Sequence, residues 1–277
     1  MRSPLQGLSP TEFFRGLKNI LRQKPRVAPG LEDNPVLELL VNRRSVRSFL
    51  DRPIPDDVFD AILEAGRLAP SGVNLQTWSF ACFDRPTWKE TFGSALPYSA
   101  PRAVMVLGDI HRVRRAIEDF PHKPLVEYTL AVTNAGIAAY AMNVAAEALG
   151  VGSVMLSETG RSGFYDASFL KDTLALPEGV FPLTTLILGY PKKISPGMPP
   201  KLPRETITFT GRYREPDQEV LDSWMEQMKA GYRALKITES FAGKLEHYRS
   251  KLDQAEEGLE KIIFHRRDRE DRRRGRG

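Results

Sequence analysis

The chain has a single cysteine among its 277 residues, so no disulfide can form within it, which fits a reducing compartment. That residue, Cys82, sits in the apolar run WSFACFD and is expected to be a buried, inert thiol. Histidine is scarce as well. His111, His122, His247 and His265 are scattered without ligand spacing, and neither CxxC nor HExxH occurs, so no metal site is expected. No Ser-His-Asp arrangement occurs either. Apolar runs are too short to span a bilayer, and the start, MRSPLQGLSP, lacks the apolar core of a secretory signal; a cytoplasmic location is expected. The body also carries little net charge. Of the overall +5, residues 266–277 supply +4, because seven arginines there face Asp268, Glu270 and Asp271. A basic balance confined to a tail says little about the main domain, and nucleic acid is not an expected partner.

What is present is enough apolar material, 41% of residues, for one sizeable core plus an appendage. Helical and strand patterns are interspersed. Residues 11–24, TEFFRGLKNILRQK, form a basic amphipathic helix with Phe13, Phe14, Leu17, Ile20 and Leu21 on one face. Such an arm is expected to pack on its own protein or on a partner subunit rather than on a membrane. Asn34-Pro35 and Ile54-Pro55-Asp56 each open a helix, the first buried through Val36, Leu37, Leu39 and Leu40. Strands are expected at residues 78–83, 103–107, 150–156 and 181–190. Arg112, Arg114 and Arg115 read as the solvated face of a short helix. Residues 124–149 are the longest helix, dense in alanine and so suited to close packing at the centre of the body. Its Glu127, Asn134, Asn143 and Glu147 argue against a membrane span. The pattern Gly150-x-Gly152 lacks a third glycine and opens no helix, which removes a dinucleotide reading.

Two stretches carry chemistry. Residues 43–49 read RRSVRSF. If extended, they place Arg43, Ser45 and Arg47 on one side and Val46 on the other. Paired guanidinium forks around a hydroxyl suit a phosphate, although a solvated basic turn has the same composition. Residues 69–78 read APSGVNLQTW and follow a helix that stops before Pro70. Small residues with the amides of Asn74 and Gln76 suit a loop that hydrogen-bonds a polar heterocycle.

Together the two stretches resemble the nitroreductase family of flavin enzymes, which carries an RRSxRxF-like phosphate motif followed by a PSxxNxQPW-like flavin loop. The resemblance extends to about Tyr190. The departure is Thr77, where the family usually has proline, which implies a less rigid loop. The resemblance implies an α+β fold, a central mostly antiparallel sheet flanked by helices, in an intertwined homodimer. It implies FMN as cofactor, with NADH or NADPH as co-substrate. Arg43, Arg44, Ser45 and Arg47 would serve the phosphate, and Pro70, Ser71, Asn74 and Gln76 the flavin ring or ribityl chain. Ser157, Glu158 and Thr159 are candidates for the segment over the ring, and Lys201 and Arg204 for a last basic contact. The two motif sets would come from different subunits. The implied reaction has two halves: a reduced nicotinamide gives a hydride to the flavin and leaves, then an electron-poor acceptor such as a nitroaromatic or quinone takes the same site. A same-fold flavoprotein that dehalogenates, desaturates or fragments flavin is one alternative. A non-enzymatic scaffold or nucleic-acid binder using the basic tail is another.

The expected organisation is an N-terminal arm and linker over 1–33, the flavin domain over 34–213, a C-terminal helical extension over 214–264 and a disordered basic tail over 265–277. The extension rests on Leu221, Met225, Met228, Tyr232 and Leu235, then Phe241, Leu245, Tyr248, Leu252, Ala255, Leu259 and Ile262, spaced by alternating steps of four and three. The register breaks between Leu235 and Phe241, so a helical hairpin or a pair of arms clasping a partner subunit is expected.

Overall fold

The computed structural model describes residues 7–120, 122–156, 166–194, 198–235 and 240–264. The chain divides into two compact units, Asp33–Ser195 with Lys251–Gly277, and Met1–Glu32 with Pro196–Ser250.

The larger unit is built on a four-stranded sheet of β1 (Trp78–Asp84), β2 (Arg102–Asp109), β3 (Gly152–Leu156) and β4 (Val180–Gly189). The strand order is β1-β2-β4-β3, and every pairing is antiparallel. The central strand β2 is apolar on both faces, so successive residues feed two different cores. Ala103, Met105 and Leu107 join Trp88, Phe92, Leu170 and Ile187 on one face. Val104 and Val106 join Ile62, Ala135, Met142 and Leu186 on the other. The helices of this unit are α2 (Pro35–Asn42), α3 (Asp56–Arg67), α4 (Arg85–Phe92), α5 (His111–Ala116), α6 (Pro124–Ala148), α7 (Ala167–Thr173) and α11 (Leu252–Phe264).

Helix α6 organises the layer. Ala131, Ala135, Ala138, Ala139, Met142 and Ala146 are almost fully buried along it. Close approach is achieved with small partners: a Cβ at Gly66 of α3 would come within 2.8 Å of Met142, and one at Gly108 of β2 within 2.8 Å of Ala131. Capping fixes the shorter helices. Asn34 accepts from the backbone N–H groups of Val36 and Leu37, both at 3.1 Å, ahead of a proline that needs no donor partner. Contrary to the sequence expectation, α2 buries no residue fully, and Val36 and Leu40 are exposed. Leu125, Val126, Val132, Ile137 and Tyr140 of α6 are exposed as well.

Two further expectations need correction. Arg114 is not on a solvated face: it lies on α5 and makes a bidentate pair with Glu127, which is only 3% exposed, and reaches Glu178 at 3.2 Å. Hydrogen bonding to Glu127 holds the Arg114 guanidinium above its already high range. Burying Glu127 without that partner would leave an uncompensated charge. Cys82 is exposed although it shares a face of edge strand β1 with Trp78 and Phe80, which pack in the core, and local desolvation still pushes its thiol up and disfavours the thiolate.

The smaller unit holds α1 (Pro10–Arg22), α8 (Arg204–Ile207), α9 (Gln218–Leu235) and α10 (Phe241–Arg249). Helix α1 starts at a capping box formed by Ser9 and Glu12. It packs on α9, where Gly16 sits so close that a Cβ would be 2.8 Å from that of Ala230. A bidentate Arg15–Glu226 pair and Arg233 over the Phe13 ring, 4.9 Å away, complete the contact. The heptad positions are distributed over three helices, α9, α10 and α11. Helix α9 is covered by α1, α10 ends before Ser250, and α11 belongs to the larger unit. There Ile262 and Ile263 pack with Ile110, Ala131, Ala167 and Phe181. The expected 214–264 extension is thus divided between the units, because α11 finds an apolar surface on the body itself. Among the described residues, no helix is long and apolar enough to cross a membrane. The 265–277 tail lies outside the described residues.

Candidate active site

The basic motif leaves the C-terminal end of α2 and runs extended beside β3. Ser45 bridges Ser153, and the Val46 N–H donates to the Ser153 carbonyl at 2.9 Å. Phe49 bridges Pro191 further on. Val46 and Phe49 are buried in the core, while Ser45 and Arg47 are exposed and Arg43 is half-buried. From Ser45 to Arg47 the faces alternate as period-two geometry requires, but Phe49 turns inward three residues after Val46, so the alternation does not continue through the segment. Two glycines admit this segment against the sheet: a Cβ at Gly152 would lie 2.7 Å from Val46, and one at Gly189 2.8 Å from Phe49. Neither Arg43 nor Arg47 has a side-chain hydrogen bond or ion pair among the described residues.

Arg44 differs from its neighbours. Its Nη1 donates to the carbonyls of Val41 at 2.7 Å and Arg43 at 2.9 Å, so it closes the end of α2. The nearest titrating group with a perturbed environment is Glu147, near the end of α6. Burial raises its pKa, and the positive charges of Arg43 and Arg44 oppose that rise.

The second motif forms a tight loop between α3 and β1. A 3-10 turn covers Gly72–Asn74, and Val73, Asn74 and Gln76 have φ of 50°, 57° and 48°. Left-handed backbone at non-glycine residues costs about 1–3 kcal/mol each, and is least expected of a β-branched valine. The loop is tied internally, because the Gln76 N–H donates to Ser71 Oγ at 3.0 Å and the Gln76 amide nitrogen approaches Asn74 Oδ1 at 3.4 Å. Pro70, Asn74 and Gln76 are exposed, and Ser71 is half-buried.

Three residues that the sequence reading did not assign to the site hold this loop. Asn134 of α6 accepts from the Gly72 N–H at 3.3 Å and donates to Thr77 Oγ1 at 2.8 Å. Arg112 donates to the carbonyls of Gln76 and Trp78 and is anchored on buried Asp109, 2.9 Å from its Nε. Thr77 therefore does not leave the loop loose: it is fully buried and hydrogen-bonded. A buried amide in an alanine-rich helix needs a partner, which was the available signal for Asn134.

The two motifs sit at different places along α6. Gly72 meets Asn134, whereas Ser45 bridges Ser153, whose hydroxyl accepts from Asn143. Asn134 and Asn143 are nine steps apart on the helix, about 14 Å at 1.5 Å per residue. Within one chain the motifs therefore dock at different points along α6. Lys201 and Arg204 belong to the smaller unit, where Arg204 opens α8 and is largely exposed. Ser157, Glu158 and Thr159 lie outside the described residues. No group of three or more His, Cys, Asp and Glu side chains suited to a metal ion occurs among the described residues.

Comparison with known proteins agrees with this architecture. An FMN reductase [NAD(P)H] from Bacillus subtilis (strain 168) is 30% identical over 209 residues, covering 70% of this chain and 82% of its own. The solved structure of the hypothetical oxidoreductase YcnD from Bacillus subtilis superposes with a TM-score of 0.68 at 28% identity, over 83% of this chain and 97% of its own. A solved NADPH:FMN oxidoreductase from Vibrio harveyi, complexed with NAD+, gives a TM-score of 0.63 at 26% identity, over 79% and 98% of the two chains. The sequence model of the nitroreductase family matches residues 40–96 and 87–190, a span that contains both motifs and all four strands. With its antiparallel α+β core and both motifs inside the matched span, this chain belongs to the nitroreductase family.

Proposed function

We propose that this protein is an NAD(P)H-dependent flavin oxidoreductase that holds FMN non-covalently and reduces an electron-poor small molecule, such as a nitroaromatic or quinone, in a ping-pong cycle. The observation that carries this reading is the segment 43–49. It is clamped to the sheet by Val46 and Phe49, Ser45 and Arg47 are exposed with Arg43 half-buried, and neither arginine makes an ion pair among the described residues. That donor set fits a phosphate: two planar forks and a hydroxyl match its oxygens, and the buried anchor holds them ready.

Arg43, Ser45 and Arg47 would bind the phosphate. Ser71, Asn74 and Gln76, on the strained loop, would orient the ring and ribityl groups. Pro70 lines the same loop. Arg44 supports the cradle by closing α2. Lys201, Arg204 and the backbone of Ser157, Glu158 and Thr159 are proposed as further contacts. When bound, FMN supplies the hydride chemistry between NADH or NADPH and the acceptor, for which the protein needs no nucleophile or metal of its own. The chain's work is then binding, orientation and electrostatics.

The site would form in a homodimer. The separation of roughly 14 Å between the two docking points along α6 suits contributions from two subunits. The exposed Val36, Leu40, Val132, Ile137 and Tyr140 form the kind of apolar surface that seeks a partner.

Purified protein should be yellow, and its flavin absorbance should bleach on addition of NADH or NADPH and return on addition of a quinone. Initial rates at several fixed nicotinamide concentrations should give parallel reciprocal plots, because donor and acceptor use one site in turn. Intersecting plots would mean a ternary complex and would overturn the shared-site mechanism. A colourless protein that takes up no FMN would overturn the cofactor assignment.

A further inference from the structure

The loop over residues 71–77 keeps three non-glycine residues in left-handed backbone, and such a conformation persists only when its surroundings hold it. Of the groups that hold it, Asn134, Thr77 and Asp109 are buried, and Arg112 is exposed. Asn134 reaches both ends of the loop from the buried face of α6, accepting from Gly72 N–H through Oδ1 and donating through Nδ2 to Thr77 Oγ1. Its amide thus spans a gap of five residues in sequence with one side chain. Thr77 is fully buried, so its hydroxyl has no water to replace that bond. On the strand side, the Arg112 guanidinium gathers the Gln76 and Trp78 carbonyls. Buried Asp109 holds it in place while also accepting from Ser79 Oγ and the Arg112 N–H. The Thr77 carbonyl closes the arrangement by accepting from the Asp109 N–H at 3.0 Å.

We propose that Asn134 and Thr77, with the Arg112–Asp109 pair as a second brace, are positioning residues that set the shape of the 71–77 loop and through it the affinity for flavin. The inference rests on the FMN reading above, and it goes further in assigning a role to residues that touch no cofactor. Ser71, Asn74 and Gln76 can present their polar groups in one fixed arrangement only while both braces stand.

The test pairs two near-isosteric changes. Thr77→Val keeps the shape and removes the hydroxyl, which leaves the Asn134 Nδ2 unsatisfied, whereas Thr77→Ser keeps the hydroxyl. Flavin-free full-length proteins are titrated with FMN by fluorescence quenching, and amide exchange at Gly72 and Gln76 is followed in the same flavin-free samples. Thr77→Val should raise the FMN Kd about tenfold and speed exchange at both amides, and Thr77→Ser should stay within about threefold of wild type. A Thr77→Val protein with wild-type Kd and wild-type exchange overturns the inference while leaving the FMN reading intact. Wild-type protein that takes up no FMN would overturn that reading instead, and the exchange result would still show whether the brace orders the loop. Arg112 gives an independent arm should Thr77→Val fail to fold, because its side chain is largely exposed. Arg112→Lys keeps the charge but loses the fork. It should weaken FMN several-fold and speed Gln76 exchange, and an unchanged Kd with unchanged exchange would overturn the second brace.

Discussion

Adding one methyl group at Gly152 should damage both the fold and the flavin site. The new Cβ would stand 2.7 Å from Val46 Cγ2, 2.9 Å from Pro191 Cγ and 3.0 Å from Val46 Cβ. Val46 must give way, and it is the residue whose N–H holds the basic segment to β3 through the 2.9 Å bond to Ser153. Overpacking of this kind costs about 1–3 kcal/mol, and weakening the backbone bond adds about 1 kcal/mol. Gly152→Ala should therefore lose about 2–4 kcal/mol, a fall in Tm of roughly 3–7 °C for a chain of this size. Because Arg43 and Arg47 flank Val46, the FMN Kd should rise at least about tenfold in the same variant. Val46→Ala alone opens a small cavity and costs about 1–3 kcal/mol, but it also removes the atom nearest the new methyl. The double variant should thus be more stable than the sum of the singles by about 1–2 kcal/mol. The assay is thermal and urea unfolding of all four proteins, followed by FMN titration. Strict additivity, or a Gly152→Ala protein with wild-type Tm and Kd, would refute the claim that the segment is wedged against the sheet at this point.

Two further outcomes follow from the packing. Ile137, 40% exposed on α6, lies on the apolar surface assigned to the homodimer; Ile137→Glu should shift sedimentation toward monomer and release FMN on dilution. Asp84 caps α4 by accepting from the Thr87 N–H at 2.9 Å, and hydrogen bonds from Thr87 hold its carboxyl below its ordinary value of 3.8. A depressed carboxylate adds stability above its unfolded pKa that is lost as pH falls through its folded one. Asp84→Ala should cost about 1 kcal/mol at neutral pH, and its unfolding curve should approach that of wild type below pH 3.8.

Local rules made much of this molecule legible in its residues. The alternation in RRSVRSF placed Val46 inside and Arg47 outside because a strand offers only two faces. The alanine density of residues 124–149 pointed to a helix packed at close range, as Gly66 and Gly108 allow. Long-range pairing was not legible. Nothing near Arg114 in sequence signals that Glu127 will be buried against it, and nothing near Thr77 signals that Asn134, 57 residues on, will meet its hydroxyl. The heptads were legible as helices but not in what covers them. Periodicity shows that a face will be covered but not by what, and α1 covers α9 while α11 lies on the body. The separation of the two motifs along α6 was likewise beyond pattern reading, since it depends on where each one docks. Cys82 was misplaced because an apolar strand sequence does not reveal that its strand lies at the sheet edge.

The account rests on the segment 43–49 as the holder of a phosphate, and comparing FMN with riboflavin isolates that group. Flavin-free wild-type, Arg43→Ala and Arg47→Ala proteins would each be titrated with both ligands at one salt concentration. A charge-assisted contact is worth roughly 1.5–3 kcal/mol, so each variant should bind FMN at least about tenfold more weakly than wild type while its riboflavin affinity stays the same. Equal losses for both ligands, or FMN affinity unchanged in both variants, would contradict the assignment.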